Sequence, residues 1–300
     1  MNRDSGAVLS IGVFDGVHRG HQALLAHARR AASTRGLPLV AVTFDPHPMA
    51  VVPGREAPES LASLEQRKEL LLAAGADAVD VLDFDASMAA MAPEEFVSRE
   101  LVQRLGAREV VVGEDFRFGH RATGTVDTLR DTGRRWGFDV SAVPLLGDGA
   151  ERWSSTRIRR SVAEGRVVDA QDDLGRPYAL DGVVVHGDHR GRELGYPTAN
   201  LQWAQRPAIP ADGVYAGWLT AHGSRLPCAI SVGTNPQFDG RERRVEAYVL
   251  DRDDLDLYGQ GIRLEFVRRL RGQMTFASVD DLVRQMDADV DLSRQLLAGE

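Results

Sequence analysis

Apolar residues change their spacing once along this 300-residue chain, near Gly165, and that change limits what the chain can fold into. Before it, short apolar runs alternate with stretches of helical periodicity. Residues 7–13 read as a buried strand, and residues 21–35 as a helix that Gly36 closes. Residues 37–44 form the next apolar run. Ser63-Leu64-Glu65-Gln66 has the form of a capping box opening a helix to Ala74, Pro93 suits a helix's first turn, and Val110-Val111-Val112 is again strand-like. The rhythm continues with a helix at 125–136 and a strand at 138–143. A helix at 158–164 follows, capped by Ser154 or Ser155 and stopped by Gly165. Such alternation predicts an α/β fold, a parallel doubly wound sheet covered by helices, with ligands at the C-terminal ends of its strands.

After Gly165 the helices drop out. Residues 178–185, 213–220, 226–232, 244–250 and 261–268 are strand-like runs broken by Gly, Pro, Asn and Asp, which predict a small antiparallel barrel or sandwich. Residues 278–297 read as one or two amphipathic terminal helices with an acidic first turn, Asp280 and Asp281. A chain of this length suits two domains, and the change of pattern divides it into segments 1–168 and 174–300.

The formal net charge of −8 argues against nucleic acid and anionic membranes as partners, since both need a basic face. A small phosphorylated ligand needs only local charge. Cys228 is the only cysteine, so no intrachain disulfide can form, and residues 1–10 lack a basic segment leading into an apolar run. No stretch approaches the ~18 consecutive apolar residues that would span a bilayer. The expectation is a soluble, cytoplasmic protein, a monomer or weak homo-oligomer. Lys68 is the only lysine, which excludes a Gly-Lys-Ser/Thr P-loop and leaves phosphate charge to Arg, His, backbone N–H groups or metal.

Between the first strand and the first helix lies Gly12-Val13-Phe14-Asp15-Gly16-Val17-His18-Arg19-Gly20-His21-Gln22. The start of a helix offers unpaired N–H groups and the positive end of its dipole, so His18 and His21 would flank an anion there. Gly20 would let a nucleotide approach the backbone closely. Two solvated histidines in a polar turn are the alternative; the Gly-x-Phe-Asp-Gly preface and the position after a strand favour the anion site.

Over nearly its whole length the chain resembles one family, the bacterial bifunctional riboflavin kinase/FMN adenylyltransferases, also called FAD synthetases. In the first half the resemblance rests on residues 12–22, Thr43-Phe44-Asp45-Pro46-His47-Pro48, Gly113-Glu114-Asp115-Phe116-Arg117-Phe118-Gly119 and Ser154-Ser155-Thr156-Arg157-Ile158-Arg159. In the second half it rests on Gly191-Arg192-Glu193-Leu194-Gly195-Tyr196-Pro197-Thr198-Ala199-Asn200, Ser231-Val232-Gly233-Thr234-Asn235-Pro236, and residues 245–251 running to Leu257-Tyr258-Gly259. It implies a Rossmann-like nucleotidyltransferase domain that moves AMP from ATP to the phosphate of FMN, giving FAD and pyrophosphate without a covalent intermediate. It also implies a following riboflavin kinase β-barrel with terminal helices, and Mg²⁺ as the metal.

Adenylyl transfer concentrates negative charge around the α-phosphorus, so positioned cations and a divalent metal supply most of the catalysis. The resemblance gives His18 and His21 that role. It assigns ATP and phosphate contacts to Gly12, Phe14, Asp15, Gly20, Asp45 and Asp115; for Asp45 and Asp115, which follow strands, metal support and flavin positioning are the alternatives. Arg152, Ser155, Thr156 and Arg157, at a predicted helix start, would hold the departing β- and γ-phosphates, with capping as a compatible second role. Asp45-Pro46-His47-Pro48 reads as a rigid positioning turn. Phe116 and Phe118 read as packing rather than a flavin platform.

In the kinase half an alcohol nucleophile gains from a carboxylate within hydrogen-bond reach, and Glu246 matches the family's presumed base. Glu246 and Tyr248 share one strand face and Val245, Ala247 and Val249 the other, leaving open which face meets the pocket. Thr198 and Asn200 would offer hard oxygens to Mg²⁺ if their segment is extended; the alternative is an ordinary turn. Gly187, Gly191, Arg192, Gly195, Pro197 and Asn235 would contact ATP or flavin, the glycine-rich loop folding N–H groups over phosphate or forming a plain hairpin. Arg271 matches a recurring family arginine and is placed with them, and Gln237 stands where a threonine is expected. Two rival functions remain at this level: a single nucleotidyltransferase with the barrel as a binding module, and a non-enzymatic flavin sensor.

Overall fold

The structure is a computed structural model and describes residues 6–149, 151–186, 195–234, 243–252 and 254–299. The chain packs as two compact units, Met1–Pro58 with Leu64–Ser154, and Glu59–Ser63 with Ser155–Glu300.

In the first unit, strands β1 (Ala7–Ile11), β2 (Leu39–Asp45), β3 (Ala78–Asp83), β4 (Ala107–Gly113) and β5 (Asp139–Val143) form a parallel sheet in the order β3-β2-β1-β4-β5. Its helices are α1 (Arg19–Arg35), α2 (Pro48–Val51), α3 (Leu64–Ala73), α4 (Ala86–Ala90), α5 (Pro93–Phe96) and α6 (Val126–Trp136), with a π-helical stretch Val97–Arg104 continuing α5. Successive strand residues point to opposite faces. Leu9, Val40, Val42, Val110 and Val112 therefore join Leu129 and Phe138 in one apolar cluster, while Val8, Ala41 and Val111 join Leu25 and Ala28 in the other. That double burial is why β1 has no exposed residue. The chain winds from β1 outward to β3, returns beside β1 as β4, and ends at β5, so the strand order reverses between β1 and β4. The crevice at their C-terminal ends is where such sheets hold ligands, and β1 leads there into the histidine turn. Residues 78–83, not foreseen as a strand, form an edge on which Asp80 meets Arg104 at 2.8 Å.

The second unit is a closed antiparallel barrel, not a sandwich, in the order β10-β7-β6-β11-β8-β9. Its strands are β6 (Tyr178–Val185), β7 (Thr198–Gln202), β8 (Gly213–Ala221), β9 (Ser224–Thr234), β10 (Arg243–Val249) and β11 (Gly261–Arg271). Inward residues, among them Leu180, Leu219, Ile230, Val245, Leu264 and Phe266, fill its interior. Gly217 lets β8 and β11 come together, because a Cβ there would lie 2.1 Å from the Glu265 carbonyl oxygen. Helices α7 (Ser155–Ala163) and α8 (Val167–Leu174) contribute Ile158, Val162, Val167, Ala170 and Leu174 to the same core. The sequence pattern shows no helix at 167–174. At the far end, α9 (Val279–Leu297) is one helix among the described residues, not two; Ser278 caps it by accepting the Asp281 N–H at 3.1 Å. It lays Leu297 against Ala216 and Val267.

Candidate active sites

Past Ile11 the backbone bends sharply, and Phe14, Gly16 and Val17 take φ values of 54°, 78° and 40°. Such values cost energy for residues with a Cβ; Phe14 and Val17, each 1 % exposed, are held there by the core. The bend delivers His18 to the N-cap of α1, where its Nδ1 accepts the His21 N–H at 3.4 Å. A neutral His18 therefore carries its proton on Nε2. The two imidazoles stack with centroids 3.6 Å apart, and the Phe14 ring meets His21 edge-on at 5.2 Å. Gly20 makes room for this arrangement, since a Cβ there would lie 3.1 Å from the His18 ring. Burial, and then the neighbouring His18 charge, hold the His21 pKa well below the usual imidazole value. At rest His21 is a neutral hydrogen-bonding group rather than a cation, and its Nδ1 has no hydrogen-bond partner among the described residues.

Around this pair, Asp15 is buried and Gly12 sits beneath the Phe14 ring. Thr43 donates to the Val13 carbonyl at 2.9 Å. Asp45 ends β2, its peptide bond to Pro46 is cis, and His47 caps α2 by accepting the Met49 N–H. Asp115 is exposed just past β4. Phe116 and Phe118 stack on each other at 5.5 Å, Phe118 inside the core and Phe116 packed against it. Arg152 is exposed in the first unit, whereas Ser155, Thr156 and Arg157 form the first turn of α7 in the second. The Arg157 guanidinium meets Asp173 of α8 at 2.8 Å.

Sequence reasoning missed Arg67. This α3 residue is 6 % exposed and sends Nη1 to the Val13 carbonyl at 2.9 Å and Nη2 to the Phe44 carbonyl at 3.1 Å, with Asp45 Oδ1 3.8 Å away. Burial lowers its pKa, opposed by Asp15, Asp45 and Glu65. The available signal was position: Arg67 lies one turn before the buried Leu71, on the same helix face.

On the barrel, Val245, Ala247 and Val249 point inward, so Glu246 and Tyr248 stand on the outer face. Antiparallel register sets Asn200 opposite Glu246 and Thr198 opposite Tyr248. The Thr198 hydroxyl donates to Glu246 Oε2 at 3.2 Å. Segment 198–202 is therefore a strand rather than a turn, and both oxygen-bearing side chains share the face of the carboxylate. Beside Asn200 opens a hollow of about 560 Å³, lined also by His186, Trp203, Arg243 and Arg244; a cleft of about 50 Å³ touches Pro197, Thr198 and Tyr258. Gly195 is exposed with φ 87°.

Tyr196 packs edge-on to Tyr248 at 5.1 Å and donates its hydroxyl to Asp287 of α9; burial and then Asp287 push its pKa up to about 12. Arg271 forms a two-pronged ion pair with Asp289 of α9, at 3.0 Å through Nε and 2.7 Å through Nη2. Gly187, Gly191, Arg192, Asn235 and Gln237 lie outside the described residues. No cluster of three or more His, Cys, Asp or Glu among the described residues could hold a metal ion. The Thr198 hydroxyl, Asn200 amide and Glu246 carboxylate are hard oxygen donors, a set that fits Mg²⁺ taking most of its ligands from phosphates and water.

Residues 1–157 match the family described as FAD synthetase, and residues 174–297 the family described as riboflavin kinase. The bifunctional riboflavin kinase/FMN adenylyltransferase of Escherichia coli (strain K12) is 37 % identical over 291 residues, 97 % of this chain and 92 % of that protein. The protein of the same description from Listeria monocytogenes is 34 % identical over 299 residues, 98 % of this chain and 94 % of its own. A crystal structure described as a macrolide-efflux protein from Streptococcus pneumoniae superposes with a TM-score of 0.87 at 34 % identity, covering 96 % of this chain and 94 % of that one. No helix among the described residues is long and apolar enough to cross a membrane.

Proposed function

The chain belongs to the bifunctional riboflavin kinase/FMN adenylyltransferase family, a transferase with both activities, and from that premise we propose which residues carry each step. Segment 174–300 phosphorylates riboflavin and segment 1–168 adenylylates the FMN so formed. In the kinase step Glu246 accepts the proton of the riboflavin 5′-hydroxyl as that oxygen attacks the γ-phosphorus of ATP; the new O–P bond forms and ADP leaves. The Thr198 hydroxyl holds the carboxylate from one side, which fixes the lone pair that takes the proton. Thr198 and Asn200 are the residues that would hold Mg²⁺, whose charge would offset that of the phosphates when bound. The hollow beside Asn200 has the size of a small-molecule site, and its aromatic and arginine lining suits a flavin or a nucleotide.

In the adenylyl step a phosphate oxygen of FMN attacks the α-phosphorus of ATP and pyrophosphate departs, so no general base is needed. His18, through Nε2–H, and His21 donate hydrogen bonds to the phosphates at the start of α1, where the free N–H groups of the helix add to them. Asp45, Asp115 and Arg152 stand as ATP contacts, and for Ser155, Thr156 and Arg157 the support is the sequence motif alone. This reading has both steps drawing on cytoplasmic ATP, in a monomer or weak homo-oligomer with no need of nucleic acid.

One observation carries the proposal: a hydroxyl, an amide and a carboxylate held in register on the barrel's outer face. A binding module or a sensor needs no such set. Purified protein incubated with riboflavin, ATP and Mg²⁺ should yield FMN and then FAD by chromatography; absence of both products would falsify the reading.

A further inference from the structure

We propose that Arg67 is a positioning residue for adenylyl transfer, a buried cation that fixes the histidine turn to the end of β2 and offsets the carboxylates beneath the ATP phosphates. The inference rests on the assignment of the His18–His21 turn to that step. Arg67 reaches two segments at once. Nη1 bonds the carbonyl of Val13, in the bend that leads to His18, and Nη2 bonds the carbonyl of Phe44, next to Asp45. Thr43 makes a second bond to the same Val13 carbonyl, so the β1 bend and the β2 end are clamped by one fork and one hydroxyl.

The guanidinium also faces charge. Asp45 Oδ1 lies 3.8 Å away, and Asp15, 3 % exposed, acts on the guanidinium more strongly than Asp45 or Glu65 does. Two carboxylates at the end of the sheet would repel a triphosphate; a buried cation that interacts with both removes that obstacle. Lysine would keep the charge but lose the planar fork, because an ammonium is a point charge on a flexible stem. Methionine would lose both. The two functions of Arg67 are therefore separable by substitution.

The test is steady-state kinetics of FMN adenylylation in the full chain for Arg67→Lys and Arg67→Met. Far-UV circular dichroism and urea unfolding of the same preparations report folding, riboflavin phosphorylation reports the barrel unit alone, and His21→Ala serves as reference. For Arg67→Lys, kcat should fall about 10-fold with KM for ATP within about 2-fold of wild type, since geometry is loosened but charge is kept. For Arg67→Met, kcat should fall about 100-fold and KM for ATP rise about 10-fold. Riboflavin phosphorylation should stay at the wild-type rate in both. A scaffold-only role predicts wild-type KM in both variants with kcat lost in proportion to unfolded protein, and that result overturns the proposal. Should Arg67→Met fail to fold, wild-type kcat in Arg67→Lys overturns it equally. If His21→Ala leaves adenylylation intact, the site assignment itself fails; if His21→Ala loses it while both Arg67 variants keep wild-type constants, only the role of Arg67 fails.

Discussion

His21 enters the fold as a neutral imidazole wedged between the His18 ring and the Phe14 edge, and its chemistry follows from that crowding. A phosphate brought against it favours the protonated form. Binding of ATP should therefore take up a proton near neutral pH, measured by calorimetry in buffers of different ionisation enthalpy; no uptake contradicts the contact. The same depressed pKa has a consequence for stability. Below the unfolded value of about 6.5 the unfolded chain binds more protons than the fold, so this contribution is complete above about pH 6.5 and is lost as pH falls toward the folded value. His21→Asn should flatten the loss of stability between about pH 7 and about pH 5, read from urea midpoints, and an unchanged slope would assign the loss elsewhere. The histidine pair was legible in the sequence because its spacing and its place after a strand are local facts. Arg67 was legible only through its place one turn before Leu71; a charged residue next to Lys68 otherwise reads as a wet helix face, and it is the tertiary fold that buries it against the Val13 and Phe44 carbonyls.

At the scale of elements, α9 is tied to the barrel by Arg271, whose guanidinium closes on Asp289 with side-chain exposures of 17 % and 8 %. The sequence placed Arg271 with the ligand contacts; its partner is eighteen residues along the chain on another element, a pairing that no local pattern encodes. Removing one member of a buried pair strands the other, so Arg271→Met should destabilise the barrel by about 3 kcal/mol, measured as the shift in urea midpoint for loss of riboflavin phosphorylation. A shift within error would make the pair a surface contact of little weight. Elements with clean apolar spacing, such as β1, β6 and α6, were readable to within a residue or two. Those that escaped share a reason. β3 carries Asp80 on an edge, α8 mixes four buried residues with acids, and β7 is five residues long between a turn and a tryptophan. Their order comes from neighbours: Asp80 from Arg104, α8 from the barrel core, β7 from pairing with β6 and β10.

At the scale of the whole molecule, one chain joins a fold whose ligand crevice follows from strand order to a fold whose proposed site lies on a barrel's outer face. The change of apolar spacing near Gly165 announced the two fold types, but not where the packing divides. Helix α7 continues the first half's strand–helix rhythm and yet buries Ile158 and Val162 in the barrel's core, because an amphipathic helix goes wherever its apolar face is covered. Nor did the sequence say which face of β10 turns inward; closure of the barrel decides it by taking Val245, Ala247 and Val249 inside. The central claim is that two separate sets of residues perform two consecutive steps. It is tested most directly by giving Glu246→Gln and His21→Ala full-length chains riboflavin, ATP and Mg²⁺ in one assay, FMN, ATP and Mg²⁺ in another, and following products by chromatography. Glu246→Gln should form FMN at least about 100-fold more slowly, the usual worth of a general base, while converting supplied FMN to FAD at the wild-type rate. His21→Ala should turn riboflavin into FMN and accumulate it, with FAD formation impaired. Equal loss of both activities in either variant, or the two losses exchanged, would contradict the account.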